Sequence, residues 1–564
     1  MRLSADIPDL VAFADLAEVK SRCALRLRIG PARDHRDLTY GELAEVVRRR
    51  AGALHSCGCR RGERVALLLP HTECLATTFL GALYLGLVPS IVAWPTVKMD
   101  RGKYQRNLRA VLASLQARWL VTEGPMAEAL GQELGDTQVL APSALAAEAV
   151  PVPSDPQREG VAFIQFSGGT TGTQKSVPIS YDLLARQLDA YARALALRDT
   201  DHVISWLPLY HDMGLVACLL LPFAFRLPLT LHAPMEWVMD PTAFLREIGR
   251  AKATHCWLPN FAYAFMASRV RNGSEPLVLE TLRGVINCSE PVRAASMDVF
   301  AERFASNGLR AAALHTCYAM AEATFAVTQS TDVDPPLRLQ VCREAFGAGR
   351  LKEVAQNGRV LVSCGVPVAG FDVRVASAAG GALPEGEIGE IWLRSGSVMV
   401  GYLDTPAQSA AFTDGWYRTG DMGAMVRGHL FVTGRKKDLI IVGGVNIYPE
   451  DLENAVGALP GVHAGRVVAL GFEDAVAGTE RLVLVAEVDN ANTLSRQAEI
   501  ELGIRESVAT VCGIAPYRVF VVPPKWIVKS TAGKISRVET RARIVAAGGL
   551  DDFDSARVRP EAAT

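Results

Sequence analysis

The sequence predicts an α/β protein with a large N-terminal domain of stacked α/β sheet subdomains and a small β subdomain, followed by an α+β C-terminal domain. Three observations predict it. From Leu38 to about Ser330, apolar strands alternate with helix-length segments, the rhythm of a parallel sheet with helices on its faces. From about Thr331, short strands separated by Gly/Pro turns replace that rhythm. Gly434-Arg435-Lys436-Lys437-Asp438 then marks a boundary, and the remainder, about 125 residues, is domain-sized. The expected divisions are 1–330, 331–434 and 435–564.

Leu38-Thr39-Tyr40-Gly41-Glu42-Leu43 reads as a short strand, a turn and a helix start, with Val46, Val47, Ala51 and Leu54 at helical spacing. Val65 to Leu69 is an apolar strand, Cys74 to Leu85 a helix, and Val88 to Val92 a strand. A helix over Tyr104 to Leu115, a strand at Trp119 to Thr122 and a softer Ala/Pro/Glu stretch near 124–159 follow. Tyr181 to Leu197 reads as a helix. Strands at His202 to Leu207, Ala253 to Leu258, Leu282 to Cys288 and Ala311 to Thr316 each end in a polar or aromatic loop. Ligands of open α/β sheets sit at the carboxyl ends of strands, so these loops should share one crevice. The β-rich part contains Arg359 to Cys364, Phe371 to Ala376, Glu387 to Arg394 and His429 to Thr433, with a helix near Pro406 to Phe412. Beyond it, helices over Pro449 to Leu459 and Thr493 to Val508 alternate with strands at Val467 to Phe472, Arg481 to Val488 and Val519 to Val522.

The stretch with most chemistry is Gln165-Phe166-Ser167-Gly168-Gly169-Thr170-Thr171-Gly172-Thr173-Gln174-Lys175-Ser176, after the apolar run Val161 to Phe166. Its glycines let backbone turn tightly and approach a ligand. Successive N–H groups, hydroxyls and a lysine form an anion site suited to a polyphosphate. The same composition also suits a surface linker. It is not a Walker loop, because the Gly-x4-Gly-Lys-Ser/Thr spacing is missing.

Composition narrows the class. With 49% hydrophobic and 21% charged residues over 564, the chain buries large cores. A net charge of −1 argues against nucleic acid and against a polybasic membrane anchor. Eleven cysteines without a CxxC fit reduced thiols and a cytoplasmic location better than zinc or disulfides. Met1 to Lys20 lacks the apolar core of a signal peptide, and Leu215 to Leu227 is too short to span a membrane and reads as core.

Further motifs identify a family resemblance. Tyr318-Ala319-Met320-Ala321-Glu322 resembles the Tyr-Gly-x-Thr-Glu motif of the adenylate-forming superfamily, and Trp416-Tyr417-Arg418-Thr419-Gly420-Asp421 its Tyr-x-Thr-Gly-Asp motif. Gly434 to Asp438 with Gly443-Gly444-Val445-Asn446-Ile447-Tyr448-Pro449 resembles its hinge segment, and Lys529-Ser530-Thr531-Ala532-Gly533-Lys534-Ile535 its terminal lysine loop. Leu207-Pro208-Leu209-Tyr210-His211-Asp212-Met213-Gly214, Ser289-Glu290-Pro291-Val292-Arg293 and an insertion-like segment, Cys342 to Asn357, are most similar to fatty-acyl-AMP ligases. The Gly443-Gly444 loop looks more like that of acyl-CoA synthetases, and Gln174-Lys175-Ser176 stands where Pro-Lys-Gly is common.

The resemblance implies ATP-dependent activation of a carboxylic acid, fatty or otherwise hydrophobic, to acyl-AMP, followed by transfer to a thiol. It implies a mobile C-terminal domain pivoting at Lys437, and ATP and Mg²⁺ as cofactors. Ser167, Gly168, Gly169, Thr170, Thr171 and Gly172 would cradle the β- and γ-phosphates with Lys175 nearby. Glu322 would hold Mg²⁺, a hard cation that prefers oxygen ligands. Tyr318, with Ala319 and Met320, would lie at adenine, and Ser289, Glu290 and Pro291 would line that side. Asp421 would accept from both ribose hydroxyls, with Arg435 beside it. Lys534 would bridge the carboxylate and the α-phosphate, and His211 would flank the carboxylate pocket. Trp206, Trp257 and Phe261 are candidate walls for the acyl group. Taken singly, each has a plainer reading: a helix-start glutamate, a core tyrosine, histidine or tryptophan, a Gly-Asp turn, a solvated lysine.

The expected acceptor is the phosphopantetheine thiol of a carrier protein. Free CoA, an amino-acid or small-acid substrate, and a catalytically silent acyl-AMP-binding scaffold are the alternatives.

Overall fold

The computed structural model describes residues 20–28, 36–95, 101–130, 137–146, 159–167, 175–271, 276–330, 335–403, 411–474, 478–529 and 535–555. The expectations for residues 1–19, most of the Pro406 to Phe412 helix, Gly168 to Gly172, and Ser530 to Lys534 lie outside the described residues.

The architecture is mixed α/β, as expected. Four parallel strands lie in the order Val88–Ile91, Arg64–Leu68, Trp119–Thr122, Gln138–Leu140. Alternation along one strand decides what each face meets. Ala66 and Leu68 pack with Tyr104, Leu108 and Leu112 of the helix Arg101–Leu115. Val65 and Leu67 join Leu43, Val47 and Phe79 from the helices Tyr40–Ser56 and Glu73–Tyr84 on the other side. Thr39 caps Tyr40–Ser56 in a capping box with Glu42, so the chain turns into that helix where the sequence reading placed the turn.

A second sheet carries the strand ends of interest. Leu314–Ala319, Gly284–Asn287, His255–Leu258, Val203–Ser205, Leu229–His232 and Cys23–Arg28 run parallel in that order. Antiparallel strands close both edges: Arg36–Thr39 at one, Ala326–Gln329 and Val366–Pro367 at the other. The run from Leu215 lies in the buried helices Met213–Leu220 and Leu221–Ala224, so it is core. The strand expected over Ala311 to Thr316 starts later. Ala311–Ala313 is a 3₁₀ turn, and the strand continues to Ala319 because its second half pairs antiparallel with Ala326–Gln329. Tyr318 and Ala319 therefore belong to the strand rather than to a following loop.

Phe371–Ala376, Gly389–Ser395, Trp416–Val426, Phe412–Thr413 and His429–Arg435 form a five-stranded antiparallel sheet. The Cys342 to Asn357 segment contains the helix Arg343–Gly347 and lies between the paired strands Arg338–Val341 and Arg359–Val362. Phe346 packs with Tyr448, ring centroids 4.7 Å apart.

After the hairpin Ile440–Val442/Val445–Ile447 comes a three-stranded sheet of Val462–Asp474, Thr479–Val488 and Arg518–Val522. Val467 and Ala469 face the helices Pro449–Gly457 and Gln497–Cys512, while Val468 and Leu470 face Trp526 and Ile544. The helix expected over Thr493 to Val508 is shifted. Ala491–Arg496 is a 3₁₀ turn under an Asn490 cap, and the α-helix runs on to Gly513, whose φ of +73° ends it. Among the described residues no helix is long and apolar enough to cross a membrane.

Candidate active site

Strand Val161–Phe166 does not lead into a helix. It pairs antiparallel with Ser176–Ser180, Phe166 opposite Ser176, and the Ser167 N–H donates to the Lys175 carbonyl at 3.0 Å. The strands on either side of the glycine-rich stretch are therefore paired with each other. Pro178 in the returning strand hides this pairing from pattern reading, since proline ordinarily argues against a paired strand.

Across from the hairpin, the strand Leu314–Ala319 ends in the turn Ala321–Ala323, where Glu322 is buried. Its Oε1 accepts the Tyr402 hydroxyl at 2.9 Å, and the Tyr402 and Tyr417 hydroxyls are 3.1 Å apart. Burial pushes the Glu322 pKa up, and the Tyr402 hydrogen bond opposes that shift. The Tyr402 ring lies 4.5 Å from the Lys175 ammonium. Thr324 completes the turn at φ +64°, a rare conformation for a β-branched residue that costs on the order of 1–3 kcal/mol. Its hydroxyl donates to Ser397 O at 2.9 Å, and its carbonyl accepts Gln165 Nε2 at 3.1 Å. Strain and anchoring hold the Glu322 turn to the entry strand of the hairpin.

The next group is built by strand pairing. Asp421 on Trp416–Val426 lies opposite Arg435 on His429–Arg435, with 3.3 Å between Arg435 Nε and Asp421 Oδ1. The Tyr318 hydroxyl donates to Asp421 Oδ2 at 2.6 Å. Burial and then the Asp421 charge drive the Tyr318 pKa well above the ordinary phenol value. Burial, the largest influence, would lower Arg435, but Asp421, Tyr318, Asp438 and Glu322 together outweigh it and the guanidinium is raised. Lys437 is pushed down by burial and by Arg435, with Lys175 a smaller contributor. The positive charges of the hairpin and of the Gly434 to Asp438 segment thus act on one another.

Ser289, Glu290 and Pro291 follow the strand Gly284–Asn287. Ser289 sits at φ +69°, and Glu290 accepts the Phe261 N–H at 3.0 Å. His211 lies in the loop after Val203–Ser205, with Nδ1 2.5 Å from Asp212 Oδ1 and 3.4 Å from the Met213 backbone nitrogen. Asp212 also accepts the Met213 N–H at 2.7 Å, fixing the start of a helix with π-type hydrogen bonding. Gly214 is required there, because a Cβ would stand 2.2 Å from Pro208 O. Before His211, Trp206 stacks on Trp237 at 3.7 Å and 4°, and Phe261 meets both edge-on. Trp257 is not part of this wall. It is fully buried, and its indole N–H donates to the Tyr191 hydroxyl at 2.8 Å, so it is core.

The structure thus brings together Glu322 and Lys175 through Tyr402, and Tyr318 with Asp421 and Arg435. Asp421 lies four residues along the strand from Tyr417, which joins the two groups. His211, Asp212 and Ser289 meet around Met213, where Ser289 Oγ lies 3.8 Å from the sulfur. Lys529 leads into the segment containing Lys534; burial lowers its pKa, and Glu290 is one of the charges acting on it. Tyr402 and Tyr417 carry no role in the sequence reading. Tyr402 ends the run Val398-Met399-Val400-Gly401, which signals burial without naming a partner. No group of three His, Cys, Asp or Glu residues that could hold a metal occurs among the described residues. A lone buried carboxylate suits Mg²⁺, which keeps waters and takes substrate phosphates as its other ligands. All eleven cysteines are free thiols.

Comparison with known proteins agrees with this geometry. The family model for AMP-binding enzymes matches residues 13–403. The long-chain-fatty-acid–AMP ligase FadD32 of Mycolicibacterium smegmatis is 31% identical over 565 aligned positions, covering 90% of this chain and 89% of that protein. The medium-chain-fatty-acid–[acyl-carrier-protein] ligase JamA of Moorena producens is 29% identical over 98% of both. A structure from studies of fatty acyl-adenylate ligases of E. coli and L. pneumophila superposes with a TM-score of 0.86 at 27% identity, covering 96% of this chain and 98% of that one. On the family match and the FadD32 identity, the chain belongs to the AMP-binding enzyme family.

Proposed function

We propose that the protein activates a hydrophobic carboxylic acid with ATP, forming acyl-AMP and pyrophosphate, and then passes the acyl group to the phosphopantetheine thiol of a carrier protein. The observation that carries this reading is the joining of two groups: a diol-sized acceptor in Asp421, flanked by Tyr318 and Arg435, and a metal-ready carboxylate in Glu322. Such a pair suits attack at the α-phosphate, with the nucleoside held at one end and the leaving pyrophosphate at the other.

In this mechanism the attacking carboxylate and the triphosphate repel each other, so charge must be neutralised where it develops. Ser167, the Gly168 to Gly172 backbone and Lys175 hold the leaving phosphates. Mg²⁺, held by Glu322, would supply further neutralisation when bound. Asp421 accepts the ribose hydroxyls, and Arg435 balances its charge. Lys534 bridges the acid and the α-phosphate, being a compact charge on a flexible stem. His211 flanks the acid, with the Trp206, Trp237 and Phe261 rings beyond it as an apolar wall. The second step moves the C-terminal domain about Lys437, with hinge rotation confined to a few residues.

Free CoA is the second acceptor reading. The Gly443-Gly444 tip, at φ +57° and +81°, is a glycine turn that lets a slender thiol arm pass. ATP–pyrophosphate exchange across acids of increasing chain length tests the first step, with exchange only for apolar acids expected. Offering carrier protein and CoA separately tests the second. Efficient turnover with CoA and none with carrier protein would sink the carrier-protein version.

A further inference from the structure

The phosphate hairpin and Glu322 belong to different sheets, yet one short segment ties them. Residues 397–403 cross between them, pinned at both ends by backbone. Met399 N–H donates to Glu322 O at 2.8 Å, and Leu403 N–H donates to Ser176 O at 3.0 Å. Between those pins stands Tyr402, with only 7% of its surface exposed. Its hydroxyl bonds Glu322 and its ring faces the Lys175 ammonium. Tyr402 has a single proton to give. Because that proton goes to the Glu322 carboxylate, the Tyr417 hydroxyl must donate to Tyr402, making a one-way chain from Tyr417 through Tyr402 to Oε1. Such a chain strengthens each bond and leaves Oε2 as the oxygen available to a cation.

We propose that Tyr402 is a positioning residue: its hydroxyl presents Glu322 to the metal and its ring seats Lys175, so that metal capture and the placement of the Lys175 charge are coupled through one side chain. The two functions reside in different parts of one side chain and can be separated. The inference rests on the metal role of Glu322 in the reading above.

The test uses the full chain and equilibrium binding rather than turnover. Mn²⁺, observed by electron paramagnetic resonance with a non-hydrolysable α,β-methylene ATP analogue, reports metal capture. Binding of the same analogue in excess chelator reports Lys175. Tyr402→Phe removes only the hydroxyl and should weaken Mn²⁺ by about tenfold, the scale of one hydrogen bond to a charged group, while leaving metal-free binding of the analogue intact. Tyr402→Leu should lose both. Tyr417→Phe keeps the Glu322 bond and should fall between the parent and Tyr402→Phe. Melting curves identify any variant that does not fold. Mn²⁺ affinity of a folded Tyr402→Phe within twofold of the parent overturns the inference. So does equal metal-free binding by the Phe and Leu variants. Glu322→Gln separates the premises: unchanged Mn²⁺ binding in that variant removes the metal role of Glu322 itself.

Discussion

Two buried carboxylates, Asp421 and Glu322, mark the two ends of the site, and they are kept in different ways. Asp421 lies opposite Arg435 on paired strands and receives a phenol from Tyr318, so its charge is balanced within the protein. Glu322 has, among the described residues, hydroxyl partners but no ion pair, and burial pushes its pKa up. A balanced carboxylate is a finished hydrogen-bond acceptor. An unbalanced one is a vacancy for positive charge, which a metal–nucleotide would fill. On the proposed reading, the nucleoside end is preformed and the phosphate end is completed by its ligand.

The largest effect should come from the charge that both ends serve. Lys534→Ala should reduce ATP–pyrophosphate exchange by on the order of 10³-fold while sparing thiol transfer from preformed acyl-AMP. Equal loss of both steps would break the division of labour. Glu322→Gln comes next, with exchange falling by on the order of 10²-fold and added Mg²⁺ restoring little of it, because the vacancy is gone. Asp421→Ala should raise the KM for ATP by about tenfold with a smaller change in kcat, as expected for a lost ground-state contact. If the Glu322 and Asp421 variants gave the same kinetic signature, the contrast between the two ends would collapse.

The smallest effect sharpens the comparison from outside the site. Glu453 is largely, not fully, buried and is ion-paired with Arg537 at 2.9 Å, yet burial raises its pKa from 4.5 to about 7. The folded protein therefore holds this proton more tightly than the unfolded chain does. Stability should fall as pH rises from about 4.5 through 7 and level off above. Glu453→Gln should flatten that slope, seen as a few degrees less change in Tm across the window. An unchanged slope would mean that the arginine already cancels the burial cost.

Much of this was legible in the sequence where local chemistry decides structure. Most of the elements expected up to Ser330 read correctly because apolar periodicity and the Thr39 to Glu42 cap are local, whereas the strands Cys23–Arg28 and Leu229–His232 went unread. The apolar run from Leu215, whose helices are buried, also read correctly. Most of the missed features depend on distant partners. The returning strand Ser176–Ser180 is masked by Pro178. The strand Leu314–Ala319 is extended by an edge partner. Tyr402 is an ordinary apolar-run tyrosine until the fold sets it beside Glu322. Trp257 and Trp206 look alike as aromatics near strand ends, and only packing separates a core ring from a pocket wall.

The hairpin that carries Ser167 and Lys175 has one more consequence. Because the chain returns as the strand Ser176–Ser180 and the next helix starts at Tyr181, no helix among the described residues starts at the proposed anion site. On the proposed reading, Lys175 at the base of that site is an exposed charge, and an exposed charge is screened beyond a Debye length of about 8 Å at physiological ionic strength. On that reading, the salt content of the surrounding medium acts as a dial on nucleotide capture.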